Sequence, residues 1–235
     1  MRMKTLWLSM LAVALSAGCG ALPGRSKPIT HYVLNDPGPV SRAQQTRPGV
    51  LLLREMDASA FYQEPRLAYS KQPGTLSHYE FARWSELPGK RLTWLLRQRI
   101  EATGLFVGVA PLSSGVVGEY QLNPRLLDFY HDASTAPGVV LLLVEVDLVR
   151  RSLGELLARQ VFVAQVPVTT FDASGAAEAM NRAANQVLDD ITRWLERIGD
   201  PTTPRPLPRQ SKGGPTADVR VGKIDTSMAR QHTTC

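Results

Sequence analysis

Asp128, His131 and Asp132 place two carboxylates and an imidazole within five residues. These side-chain types hold a divalent cation or pass a proton. They fall where an extended run enters the turn at Pro137 and Gly138, where charged groups ordinarily meet solvent, and no H-E-x-x-H or C-x-x-C spacing accompanies them. His31, His78 and His232 stand apart from further ligand types. There is no G-x-S-x-G elbow, and GVVG at 115–118 lacks the lysine and hydroxyl of a phosphate loop. The motifs therefore name no catalytic residue, no metal ligand set and no cofactor. An envelope hydrolase would rest on Asp128 and His131 alone.

Cys19 carries a different chemistry. MRMK is a short basic start, LWLSMLAVALSA is apolar and too short for a comfortable permanent span, and AGCG supplies small residues before a thiol. This is the layout of a signal peptide over residues 1–18, and Ala17-Gly18-Cys19 looks like a bacterial lipobox, with Ser16 where leucine is usual. Acylation of Cys19, as with palmitate, would anchor the chain, since each buried methylene contributes about 0.8 kcal/mol. Cys235 is then the remaining thiol and no internal disulfide forms.

The third group of interest is YEFARWSELP at 79–88. Tyr79, Phe81 and Arg83 alternate with Glu80, Ala82 and Trp84. Trp, Tyr and Arg are favoured interface anchors, so Tyr79, Phe81, Arg83 and Trp84 are candidate partner contacts. The plainer reading puts Tyr79 and Phe81 in the core, with Trp84 over the start of the helix at Pro88.

The elements that must position these residues follow from periodicity. Residues 19–30 read as a tether. HYVL at 31–34 and GVLLLREM at 49–56 read as strands, and two extended runs around Gln72-Pro73-Gly74 as a hairpin. Pro88 opens a helix with Leu92, Leu95, Leu96 and Ile100 on one stripe, and Gly104 closes it. Lys90, Arg91, Arg97 and Arg99 are assigned to its solvated faces. Strands follow at 105–111, 118–130, 139–149 and 156–168; in the second, Tyr120, Leu122 and Leu126 are expected on one face and Leu127 and Phe129 on the other, after an irregularity at Pro124. A long helix carries Met180, Ala184, Val187, Ile191, Leu195 and Ile198, capped by Asp172 or Ser174. Residues 200–235 are rich in Pro, Thr, Arg and Gly and are expected to be a disordered basic tail. The expectation is one α+β domain over 31–199, a mainly antiparallel sheet packed by two helices.

Composition agrees. In 235 residues, 43% are hydrophobic and 20% charged, enough for a core. Two of the six net positive charges, Arg2 and Lys4, lie in the leader. The rest is too mild for a nucleic-acid binder and suits loose attraction to an acidic membrane or partner.

Taken in order, the lipobox, the tether, HYVL, the run GVLLLREMDASAFYQEPRLAYSKQPGTLSHYEFARWSELP and the helix RLTWLLRQRIEATGLF resemble the ABC-type transport auxiliary lipoproteins, over roughly residues 19–198. The resemblance implies a non-catalytic partner of a mammalian-cell-entry (MCE) domain protein, in a system that moves lipids or other hydrophobic compounds between membranes. It implies a lipid-anchored protein on the periplasmic face of the outer membrane, consistent with Gly20 rather than aspartate after Cys19. A homo-oligomer matching a ring-shaped partner is plausible by analogy. The alternative is a periplasmic carrier holding lipid between sheet and helices.

Overall fold

Strict alternation in LLLVEVDLV sets the frame of the molecule. Val140, Leu142, Val144, Val146 and Leu148 are all buried on one face of a single strand, and each such side chain contributes about 1.5–3 kcal/mol when taken from water. In the computed structural model, which describes residues 27–198 apart from Pro37 and Pro39, the strands are β1 (Thr30–Tyr32), β2 (Arg47–Leu53), β3 (Asp57–Ala58), β4 (Arg66–Ser70), β5 (Ser77–Trp84), β6 (Phe106–Pro111), β7 (Tyr120–Asp132), β8 (Val139–Arg150) and β9 (Glu155–Pro167). The helices are α1 (Pro88–Thr103) and α2 (Ala173–Arg197).

β7, β8 and β9 form one long antiparallel meander. The second edge of β7 is tiled by three short parallel partners in succession. Leu51–Leu53 of β2 lie against Tyr120–Leu122, β3 against Arg125 and Leu126, and Tyr69 and Ser70 of β4 against His131 and Asp132. β6 extends the sheet beyond β2 in parallel, β5 pairs antiparallel with β4, and β1 lies parallel on β5. The α+β class and the two helices are as expected. Most paired residues are antiparallel, and the parallel joins were not legible in the sequence.

A bulge in β7 changes the expected faces. Leu126 pairs with Val144, but Asp128 pairs with Leu143, so Leu127 is turned outward. Phe129 and His131 thereby return to the core face that Leu126 occupies. Pro124 sits in regular register opposite Val146, so the irregularity lies three residues beyond it.

The helices close the core. α2 lays its stripe on β8 and β9, and Ala176, Ala177, Ala179, Ala183 and Ala184 allow the close approach. Its first turn is capped by Asp172, whose carboxylate accepts from the Gly175 amide at 2.8 Å. Its last carbonyls receive the buried Arg47 guanidinium, 2.5 Å from Leu195 O and 3.2 Å from Glu196 O. α1 begins at Pro88 and ends at Gly104, which takes the left-handed φ of 65°. Arg99 departs from its assignment to a solvated face. It is buried, its Nε donates to Asp36 at 2.7 Å and its Nη1 to Asp189 at 3.0 Å. One guanidinium thus joins α1, the segment after β1, and α2. No described helix is long and apolar enough to cross a membrane.

Candidate docking surface

The four aromatic and basic residues of β5 do not share one surface. Trp84 is core, stacked on Phe129 with ring centroids 5.9 Å apart, which removes it as a contact residue. Tyr79 is half-buried and points inward, its hydroxyl 2.7 Å from His131 Nδ1. Burial, with Asp172 and Tyr69 nearby, pushes its hydroxyl up to about 12. Phe81 is not core; it is 37% exposed, with the Lys27 ammonium 6.0 Å from its ring centroid. Arg83 lies on the outer face directly opposite Arg66 of β4. The reason is local. β5 holds three more residues than β4 between the pairs Arg66↔Arg83 and Ala68↔His78, and this irregularity resets the alternation on which the face assignment depended.

The Asp128, His131 and Asp132 trio is separated as well. His131 is fully buried, with Nε2 2.8 Å from Pro137 O; donation there leaves Nδ1 to accept from Tyr79. Asp128 accepts from the Tyr62 hydroxyl at 3.3 Å, and burial and Asp128 raise that hydroxyl's pKa. Asp132 accepts from the Ser134 amide at 3.0 Å, and the Ser134 hydroxyl and amide together hold its carboxyl below the usual range. Alternation places the imidazole inside and both carboxylates outside. Among the described residues no group of three or more His, Cys, Asp or Glu side chains is placed to hold a metal ion.

The most developed concave surface lies elsewhere, at the start of α1. A cleft of about 730 Å³ runs between β3, Asn123–Arg125 of β7 and the first turn of α1, and a second of about 510 Å³ lies between α1 and the end of β6. Arg54, Glu55 and Lys90 line both. Thr93 holds the corner by accepting from the Met56 amide at 2.8 Å and donating to Gly89 O at 2.7 Å. In the second cleft Trp94 is 40% exposed, with the Arg91 guanidinium 4.4 Å from its ring centroid and Arg97 beside it. An indole flanked by cations above an apolar floor of Leu53 and Leu112 can anchor an acidic, partly apolar segment. Sequence reading passed over Trp94, although its position off the Leu92/Leu95/Leu96/Ile100 stripe already marked a large aromatic on the polar side of a helix.

Comparison with known proteins gives two kinds of result. No curated protein matches the chain. Among solved structures, protein XCC0632 from Xanthomonas campestris is similar, with 21% identity and a TM-score of 0.65 over 72% of this chain and 96% of that one. An uncharacterised protein is similar with 13% identity and a TM-score of 0.57, over 72% of this chain and 99% of that one. At these identities the likeness speaks to the fold, and both share it nearly end to end. A family model described as the ABC-type transport auxiliary lipoprotein component matches residues 32–192, a span that takes in every strand from β2 to β9, all of α1 and most of α2. The chain belongs to the ABC-type transport auxiliary lipoprotein family.

Proposed function

We propose that this auxiliary component is a non-catalytic lipoprotein of the outer membrane, anchored through Cys19 on the periplasmic face, which docks an MCE-domain protein of an ABC transport system moving lipids or other hydrophobic compounds. The observation that carries the reading is the family match over residues 32–192. The cleft around Trp94, Lys90 and Arg97 supplies the docking surface, because exposed Trp and Arg are the side chains that anchor interfaces. On this reading residues 1–18 are the cleaved leader and 19–30 the tether; both, with residues 200–235, lie outside the described residues apart from 27–30. A lipid carrier would need space between α2 and the meander, where Phe162, Met180, Val187 and Leu188 are packed.

The test is affinity capture from envelope extracts with the tagged chain, followed by identification of co-purified MCE protein. Trp94→Ala combined with Arg97→Ala is expected to lower that capture by about tenfold or more, the effect of losing a principal anchor, with an unchanged melting curve. Failure to recover any MCE protein with the unaltered chain would end the proposal.

A further inference from the structure

A second surface, on the other arm of the sheet, has its own chemistry. β1 follows Cys19 by eleven residues, a distance the chain can span in at most about 40 Å. Its pairing with β5 places His31 beside Arg83, and Arg83 is in turn opposite Arg66, so three basic side chains form a row across β1, β5 and β4 on the outer face. Trp84 N donates to Pro65 O, so Arg66 and Arg83 form the closer, non-hydrogen-bonded kind of pair. Two like charges so placed repel unless an anion joins them. Arg66 Nε and Arg83 Nη1 are buried from water and have no hydrogen-bond partner, as is His78 Nε2 nearby. Glu64, 3.7 Å from Arg66, and the exposed Glu80 are the acids of this face. Lys27 and three exposed apolar side chains complete it: Ile29 at 48%, Val33 at 45% and Phe81.

We infer that this face rests on the membrane that holds the anchor, with Arg66 and Arg83 taking a phosphate of an anionic lipid headgroup between them. Ile29, Val33 and Phe81 enter the headgroup boundary beside it. The combination fits a bilayer: apolar side chains among cations, on the strand that first follows the tether from a lipid-bearing cysteine. An acidic protein partner would satisfy the arginines but would not explain the position of the patch at the tether. The inference rests on the lipoprotein reading for its location, and on the described residues for its chemistry.

Among the described residues the core runs from Leu34 to Leu195, and the experiment uses the chain from residue 19 onward with Cys19→Ser, which cannot be acylated. Vesicles of phosphatidylethanolamine with phosphatidylglycerol, and vesicles of phosphatidylcholine alone, are sedimented with it. The expected result is binding to the phosphatidylglycerol vesicles that is released by about 0.5 M salt. The double variant R66Q/R83Q should bind about 25-fold more weakly, roughly fivefold for each basic residue near the surface. Phe81→Ala should weaken binding with its melting curve unchanged. Equal binding to both vesicle types, or binding unaffected by R66Q/R83Q, as would occur if the basic residues beyond 200 made the contact, overturns the inference. Hydrogen exchange on the unaltered chain gives a measure free of variants: slowed exchange at 27–33 and 81–83 on vesicle addition is expected, and its absence overturns the inference. Binding of an acidic peptide without vesicle binding also overturns it. Palmitate labelling of Cys19 in cells is read separately, so loss of the anchor reading and loss of this one are distinguishable.

Discussion

Tyr79 turns inward as the plainer reading had it, but onto a polar partner, and Arg99 leaves the solvated face assigned to it. The Tyr79 hydroxyl bonds His131 inside the protein, so Tyr79→Phe leaves a buried ring nitrogen without its partner. A loss of about 1–2 kcal/mol is expected in denaturant unfolding. The same hydroxyl makes the fold sensitive to alkali. Its folded value of about 12 lies above the ordinary 10.0, so between these values the unfolded chain has released a proton that the folded chain keeps. The contribution is fully present below pH 10 and is lost as pH rises toward 12, with Tyr62 acting in the same direction. Unfolding followed across that window should show a steeper loss of stability for the unaltered chain than for Tyr79→Phe. Arg99→Met strands the Asp36 carboxylate, which is itself buried, and is expected to cost about 3–5 kcal/mol. Asp189→Asn, at the exposed end of the same network, should cost far less. Neither role was legible from spacing, because a periodic stripe tells which residues are apolar but not which charged neighbour is turned inward to an acid far along the chain.

At the scale of elements, both helices and the long strands were legible because each carries its own signal. Pro88 and Gly104 bound α1, LLLVEVDLV announces β8, and the Gln72-Pro73-Gly74 turn joins β4 to β5. What escaped was set by register. The bulge at Leu127 brings Phe129 back to the core, and the three added residues in β5 turn Phe81 outward and Trp84 inward. No residue type marks either irregularity. β3, two residues long, has no pattern to read and is held by its parallel partner. The cap of α2 tests how far local signals contribute. Asp172→Ala should cost about 1 kcal/mol and Asp172→Asn much less, since asparagine also caps. Hydrogen bonds from the Gly175 and Ser174 amides and Thr170 hold the Asp172 carboxyl below its usual range. The contribution of the cap is therefore complete above the unfolded pKa and is lost as pH falls through the lowered one.

For the whole molecule, the family and the α+β class were legible from the order of the pieces, while the surfaces were not, since they arise from strands far apart in sequence. Among the described residues the core runs from Leu34 to Leu195, and removing residues 200–235 is expected to leave the melting temperature unchanged in calorimetry. Cys19→Ser should abolish palmitate labelling and move the protein out of the membrane fraction without altering that melting temperature. The tiling of β7 has a consequence in time. β7, β8 and β9 pair with immediate neighbours in sequence, whereas β2 waits for a strand that begins 67 residues after Leu53. Closing such long loops is slow, so the meander is expected to assemble first and act as the template onto which the earlier strands zip. Rapid-mixing experiments would register this as an asymmetry: Val144→Ala should mainly slow folding, and Leu52→Ala should mainly hasten unfolding. A chain made from its N-terminus onward would then carry the edges of β2, β3 and β4 that meet β7 open until β7 is complete, and this is the interval in which the nascent protein most needs protection from its neighbours.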